Sequence, residues 1–246
     1  MSRKDTSSRR TYRPEYVRTM FNRIAPRYDL LNHLLSSGID IFWRRKAIRI
    51  LQPLAPMEIL DVATGTGDFA FEAADLLHPR SVVGVDVAEE MIRIGEVKAK
   101  KRGLDNVVRF AEGQAESLPF SDSSFDSVIS AFGVRNFSDL NKGLREFSRV
   151  LRPGGSVVIL EFSNPRAFPV RQLYRFYSDT VLPAVGRLIS RNREAYEYLP
   201  GTIREFPDGD DFLSILKSAG LESPLQIRLT FGIVTIYHAH KPIRIR

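Results

Sequence analysis

Aspartates, glycines and one arginine carry the chemistry legible in this chain. In E-I-L-D-V-A-T-G-T-G-D, residues 58–68, an apolar run ends at Val62 and a turn holds Gly65, Thr66 and Gly67. Phe69, Ala70, Ala73 and Leu77 follow at helical spacing. The pattern is strand, glycine loop, helix. Gly65 and Gly67 let the backbone approach a ligand with no Cβ between them, and the helix start aims unpaired N–H groups at the same place. This suits a nucleotide-like cofactor. Asp61 lies just before the loop, Asp86 closes a second apolar run in V-V-G-V-D-V, and Gln114-Ala115-Glu116 follows a third. Asp86 could accept hydrogen bonds from both ribose hydroxyls, and Gln114 is placed for an adenine edge. Plainer readings stand beside these: the glycines could only turn the chain, and Asp61 could only organise the loop. Gly65, Gly67 and Ala70 also satisfy G-x-G-x-x-A with Asp86 downstream, so an NAD-dependent oxidoreductase stays open.

Positioning these groups requires a sheet. Strands are predicted near 57–62, 81–86, 106–111, 125–131 and 154–162, with helix faces between them at Met91, Gly95 and Ala99 and at Leu140, Leu144 and Phe147. Alternation of this kind demands right-handed crossovers and a parallel sheet covered on both faces, a doubly wound α/β fold. Ligands of such sheets bind where strand order reverses, which gathers the four groups into one crevice. Two last strands near 223–229 and 232–240 predict an antiparallel hairpin at the edge of a mostly parallel seven-stranded sheet. That ending counts against a dehydrogenase unit, whose second half usually continues parallel.

Before the first strand, Val17, Met20, Phe21 and Ile24 predict a helix from Pro14 that Pro26 closes. A short apolar segment over 30–35 is broken at Gly38, and a second helix is expected from about Asp40 to Leu51. Residues 14–56 are thus read as an N-terminal helical cap within a single domain over 14–246, and residues 1–13 as a disordered basic tail. Residues 149–155 are read as a helix end and turn. Residues 166–207 alternate arginines such as Arg171, Arg187 and Arg191 with Tyr174, Tyr177 and Tyr198, which predicts a helical insertion serving as a lid or as plain packing. Trp43 and the 30–35 run are read as core.

With 246 residues, 43% of them hydrophobic, the chain can bury one substantial core. Zero cysteines exclude disulfides, thiolate zinc sites and a cysteine nucleophile. The net charge of +7 could serve solubility or an anionic membrane surface; the basic and aromatic signature of an RNA binder is missing, so nucleic acid is not expected as a partner. No apolar run is long enough to span a bilayer, so the expected protein is soluble or peripheral.

Beyond the glycine loop, Y-D-L-L-N-H-L-L-S-S-G-I-D-I-F-W-R-R, F-G-V-R-N, R-V-L-R-P-G-G-S-V-V-I-L-E-F-S, Y-L-P-G-T-I-R-E-F-P and L-T-F-G-I-V-T-I-Y-H-A-H-K stand in order. Together they resemble the ubiquinone/menaquinone biosynthesis C-methyltransferases, which have a Rossmann-like fold, over about residues 20–241. The resemblance implies S-adenosylmethionine as cosubstrate without a metal, and C-methylation of a polyprenyl quinol, demethylmenaquinol before a benzoquinol. Other acceptors, a small lipid or a phenol, belong to the same chemistry, and a non-catalytic binding subunit to a different class.

By this resemblance the cofactor positions fall on Thr66, Asp86, Gln114 and Ala115, joined by Asp61, Gly65 and Gly67. The family commonly has Asn where Gln114 stands and Ser where Ala131 stands, so a hydroxyl contact there is either lost or taken by neighbouring Ser130. A ring carbon becomes nucleophilic when the neighbouring hydroxyl loses its proton. Arg135, after the fourth strand, could favour that quinolate or could instead pin its loop in a salt bridge. Tyr28 and His33, with Asp29 and Asn32, could close over the acceptor and relay its proton. The bilayer-resident substrate implies a cytoplasmic protein with transient contact at the inner membrane face. The family reading also leaves room for a homodimer.

Overall fold

Seven strands, most of them separated by helices, pair into one sheet of order β3-β2-β1-β4-β5-β7-β6. The computed structural model describes residues 14–177, 180 and 193–243. The strands are β1 (Glu58–Val62), β2 (Ser81–Asp86), β3 (Val108–Glu112), β4 (Phe125–Ala131), β5 (Leu151–Phe162), β6 (Glu222–Leu229) and β7 (Val234–His240). The first five pair in parallel, and β7 runs antiparallel to both β5 and β6. The mostly parallel sheet and its antiparallel ending are as the sequence predicts. Strand order reverses between β1 and β4, so the loops leaving β1, β2, β3 and β4 converge on one crevice.

Alternation along each strand fills both faces. Leu60, Val128, Val157 and Ile159 pack under Leu144 and Phe147 of α5 (Leu140–Val150) and Phe212 of α8 (Asp210–Ser218). Ile59, Ile129, Val158 and Leu160 face the other way, against α2 (Ile39–Arg49) and α3 (Asp68–Leu77). Each such side chain, fully buried, contributes roughly 1.5–3 kcal/mol. Gly67, which starts α3, sits at φ 88°, and a Cβ there would stand 2.6 Å from the Phe110 ring.

Two local expectations fail. The helix predicted to close at Pro26 runs on as α1 (Pro14–Leu35), absorbing the 30–35 segment. A proline in a helix interior costs about 3 kcal/mol. Flanking contacts offset it: Ala25 packs with Ala88 and Met91 of the region opening α4 (Glu89–Arg102), and Phe21, Ile24 and Tyr28 lie against them. The sequence around Pro153 and Gly154 does not simply turn: β5 already starts at Leu151. The register against β4 jumps from Phe125↔Leu151 to Ser127↔Ser156, so the intervening residues bulge out. Gly154 and Gly155 meanwhile bond to Lys241 through the backbone.

In the expected insertion, α6 (Val170–Phe176) and α7 (Arg193–Glu205) are described. Arg187, Arg191 and the 1–13 tail lie outside the described residues. Among the described residues, no helix is long and apolar enough to cross a membrane. The fit of Phe110 against Gly67 yields a test. Gly67→Ala should lower stability by roughly 1–3 kcal/mol, through overpacking and a left-handed backbone. An unchanged urea midpoint would contradict the packing described.

Candidate functional site

Two cavities meet at the crevice. The first is walled by Gly65, Asp86, Gln114, Ala115, Met91 and Phe137 among others. The second, of about 520 Å³ and much the roomier, lies under α1 and α2 and is lined mainly by apolar and aromatic side chains, including Trp43, Phe162, Tyr174 and Tyr198. Phe21, Tyr28 and Phe132 border both, so a molecule in one faces a molecule in the other across these three rings.

In the first cavity, the Asp86 carboxylate accepts the N–H of Gly65 at 2.8 Å and of Ala88 at 2.9 Å. These bonds fix it at the end of β2, and burial still pushes its carboxyl above the ordinary value. Remaining lone pairs can take hydroxyl donors. Gly65 lies directly under Tyr28: a Cβ at Gly65 would be 3.7 Å from that ring. A carboxylate, an amide at Gln114 and an apolar wall beside a glycine loop match a nucleoside, so the residues present fit S-adenosylmethionine.

Other expected cofactor contacts are not brought to the cavity wall. Asp61 is wholly buried beneath the loop, where its Oδ2 accepts the Thr64 hydroxyl at 2.6 Å. Thr66 turns its hydroxyl to Asp29 of α1, and Gly67 faces Phe110. Ser130 is fully buried and donates to the Val62 carbonyl at 2.7 Å, tying β4 to β1 instead of replacing a hydroxyl at Ala131. For Asp61 and Ser130 the reason is shared: a polar side chain under a tight loop finds its partner within the loop or the adjoining backbone, whereas Thr66 finds its partner on α1.

The second cavity holds the charges. Arg135, 8% exposed, lies in a short 3₁₀ turn after β4; its Nη1 donates to the Phe132 carbonyl and, at 2.7 Å, to Glu161 Oε1 at the end of β5. Its Nε is buried without a partner among the described residues. The guanidinium also stands 5.4 Å from the Phe162 ring centre. Burial raises the Glu161 carboxyl, against the pull of Arg135. Arg135 is thus held in the salt bridge that one of its two readings expects, and it also borders the cavity.

Tyr28 borders both cavities, and burial raises its phenol above the ordinary value. Burial likewise pushes Tyr174 and Tyr198 up to about 12. All three stay protonated near neutral pH and so can donate, as Tyr198 does to Asn136 at 2.9 Å. His33 borders neither cavity; its Nδ1 stands 2.9 Å from Asp40 Oδ2, and its side chain is 39% exposed.

Four charged residues escaped the sequence reading. Asp40 and Arg44 form a buried pair on α2 that lines the second cavity. Burial opposes ionisation of Asp40, but the Ser36 hydroxyl at 2.6 Å and the Arg44 charge outweigh it and hold the carboxyl below its ordinary value. Their i, i+4 spacing in D-I-F-W-R was the available signal. Glu161 was marked by an acid ending the apolar run V-V-I-L. Lys98 of α4 bonds Asp29 at 2.8 Å and Thr66 at 3.1 Å, fastening α1 to the glycine loop; only folding brings these together.

The buried Asp61 gives a pH test. Burial pushes its carboxyl up to about 7, with Asp86 adding and Thr64 opposing. The folded state thus keeps a proton that the unfolded chain gives up above about pH 4. Stability is withdrawn as pH rises from there to about 7 and changes no further beyond it. Asp61→Asn should gain on the wild type across that window in urea melts, and a pH-independent difference would contradict this environment.

Relatives follow the same division between fold and site. Residues 8–241 match the model of the ubiE/COQ5 methyltransferase family. A demethylmenaquinone methyltransferase of Bacteroides fragilis is 49% identical over 92% of this chain and 93% of its own. One of Thermus thermophilus is 46% identical over 91% of this chain and 100% of its own. The ubiquinone/menaquinone biosynthesis C-methyltransferase UbiE of Geobacter sulfurreducens is 44% identical over 98% and 94%. Among solved structures, a SAM-dependent methyltransferase of Thermotoga maritima superposes with TM-score 0.64 at 20% identity, covering 91% of this chain and 99% of that one. The [4+2]-cyclase SpnF also reaches 0.64, at 18% identity over 94% and 97%, so the fold alone does not fix the reaction. On the extent of the family match and these identities, the chain belongs to the ubiE/COQ5 methyltransferase family.

Proposed function

We propose that this chain methylates a ring carbon of a polyprenyl quinol, demethylmenaquinol, from S-adenosylmethionine. The observation that carries the reading is the pair of adjoining cavities: one suits a nucleoside, and the other is apolar, large enough for a prenylated ring, and bordered by a buried guanidinium with an unused donor. The relatives named demethylmenaquinone methyltransferase support the choice of ring.

S-adenosylmethionine supplies, when bound, an electrophilic methyl group on a sulfonium. Gly65, Asp86, Gln114 and Ala115 would hold it. The chain's own task is to place the ring carbon across Tyr28 and Phe132, exclude water and stabilise charge on the ring oxygen. Arg135 Nε would donate to the quinolate oxygen, and Glu161 holds the guanidinium in place. The Tyr28 phenol would donate to the same acceptor. A quinolate bound this way is favoured over the quinol because the cation is preorganised in a desolvated wall.

A prenyl tail must leave the second cavity toward lipid. Ile39, Leu173 and Phe231 border that cavity while being 37%, 65% and 80% exposed, and Phe42, 52% exposed, carries Lys46 5.8 Å from its ring centre. Apolar side chains beside cations suit the interface of an anionic bilayer, and we assign the membrane contact to this mouth.

Incubation with demethylmenaquinol and S-adenosylmethionine should yield the methylated quinol by mass spectrometry; no product would remove the reading. Arg135→Lys keeps a charge for Glu161 but loses the planar donors. It should cut turnover by about a hundredfold or more while S-adenosylhomocysteine affinity by calorimetry stays near wild type. Equal losses in both would assign Arg135 to cofactor binding. Replacing Phe231 and Leu173 by serine should weaken co-sedimentation with phosphatidylglycerol liposomes, and undiminished binding would move the contact elsewhere.

A further inference from the structure

Replacing a ring hydrogen by a methyl group releases one proton per turnover, and an enclosed acceptor cavity must give that proton a way out. Glu161, behind Arg135 and not on the cavity wall, is 0% exposed and is bonded to Arg135 and to backbone N–H groups, so it leads nowhere. Asp40 is different. It lines the cavity at 3% exposure, and its Oδ2 stands 2.9 Å from His33 Nδ1 on the far side. The His33 side chain, 39% exposed, reaches water.

We propose that Asp40 and His33 are the proton exit of the acceptor cavity, with Asp40 receiving the quinol proton and His33 delivering it to solvent. The inference rests on the quinol methylation reading. The quinol O–H bond breaks and leaves its electron pair on oxygen, and an Asp40 oxygen takes the proton; once the ring carbon has gained its methyl group its C–H bond breaks and that proton returns to the ring oxygen, so the net loss is one proton per turnover. The proton on Asp40 crosses to His33 Nδ1, which accepts it when the neutral ring carries its hydrogen on Nε2. The ring loses the Nε2 proton to water, and the tautomers re-equilibrate.

Asp40 passes the proton on because it is held as a carboxylate by the Ser36 hydroxyl and Arg44, and an imidazole exchanges protons readily near neutral pH. The charged groups around His33 are Asp40 and Arg44 from α2, Asp68 at 3.9 Å from the start of α3 with Lys98 of α4 against it, and Asp29 one turn back on α1. His33 acts through Asp40 and does not touch the acceptor, so it is a positioning and relay residue.

The test separates relay from architecture. Demethylmenaquinol is mixed anaerobically with the S-adenosylhomocysteine complex in weak buffer containing a pH indicator, so that proton release is read without methyl transfer. Single turnovers with S-adenosylmethionine run alongside. His33→Ala should slow proton release and methyl transfer together, by about tenfold or more, and added imidazole should restore both. Asp40→Asn introduced into His33→Ala should abolish the rescue, while S-adenosylhomocysteine affinity reports that the fold persists.

Wild-type rates in His33→Ala, a deficit indifferent to imidazole, or a rescue that survives Asp40→Asn would each overturn the proposal. So would absence of proton release from a wild-type complex that is nevertheless active. Failure of the underlying reading shows separately, as a wild type that methylates no quinol.

Discussion

A guanidinium sealed between β4 and β5 is tolerable only because a carboxylate faces it. Removing Arg135 from water costs several kcal/mol, and Glu161, at the end of the neighbouring strand, returns that cost through a 2.7 Å contact. Either partner alone would be a buried uncompensated charge. The pair sits at the ends of β4 and β5, next to the point between β1 and β4 where strand order reverses, so the sheet itself sets its geometry. Strand register, the turn after β4 and the apolar wall at Phe162 all serve to keep one cation dry and fixed beside the acceptor cavity.

The N-terminal helices extend this arrangement from one element to two chambers. α1 places Tyr28 over Gly65 and closes the cofactor cleft, and it also supplies Met20, Phe21 and Ile24 to the acceptor cavity. The same helix is fastened to the glycine loop through Asp29, Thr66 and Lys98. Cofactor loop and acceptor wall are therefore mechanically one unit. A shift of α1 that widened one chamber would disturb the other, which suits a reaction needing two reactants aligned to within tenths of an ångström.

Much of this was legible before folding was considered. Strand positions, the glycine loop, Asp86 and the antiparallel ending follow from period, turn chemistry and chain order, which are local signals. Which way the side chains of Asp61, Thr66 and Ser130 turn was not legible, because a polar residue near a crevice can point up or down, and sequence spacing does not record which. Pro26 misled for a related reason: its local cost is real, and packing around Ala25 and Met91 overrides it. Lys98 became visible only when α4 was brought against α1 and the glycine loop, where its partners Asp29 and Thr66 lie; Asp40 and Arg44 pair within one helix, and spacing does not record that the pair faces a cavity.

The position of β7 bears on how the molecule comes to be assembled. β7 follows β6 in the chain yet lies inside it, filling the gap between β5 and β6. Until residues 234–240 have been made, β5 presents the bare edge of an apolar strand, the kind that invites pairing with another chain. The sheet therefore cannot close during synthesis of its first five strands, and a nascent chain would need shielding until its last strand slots into place.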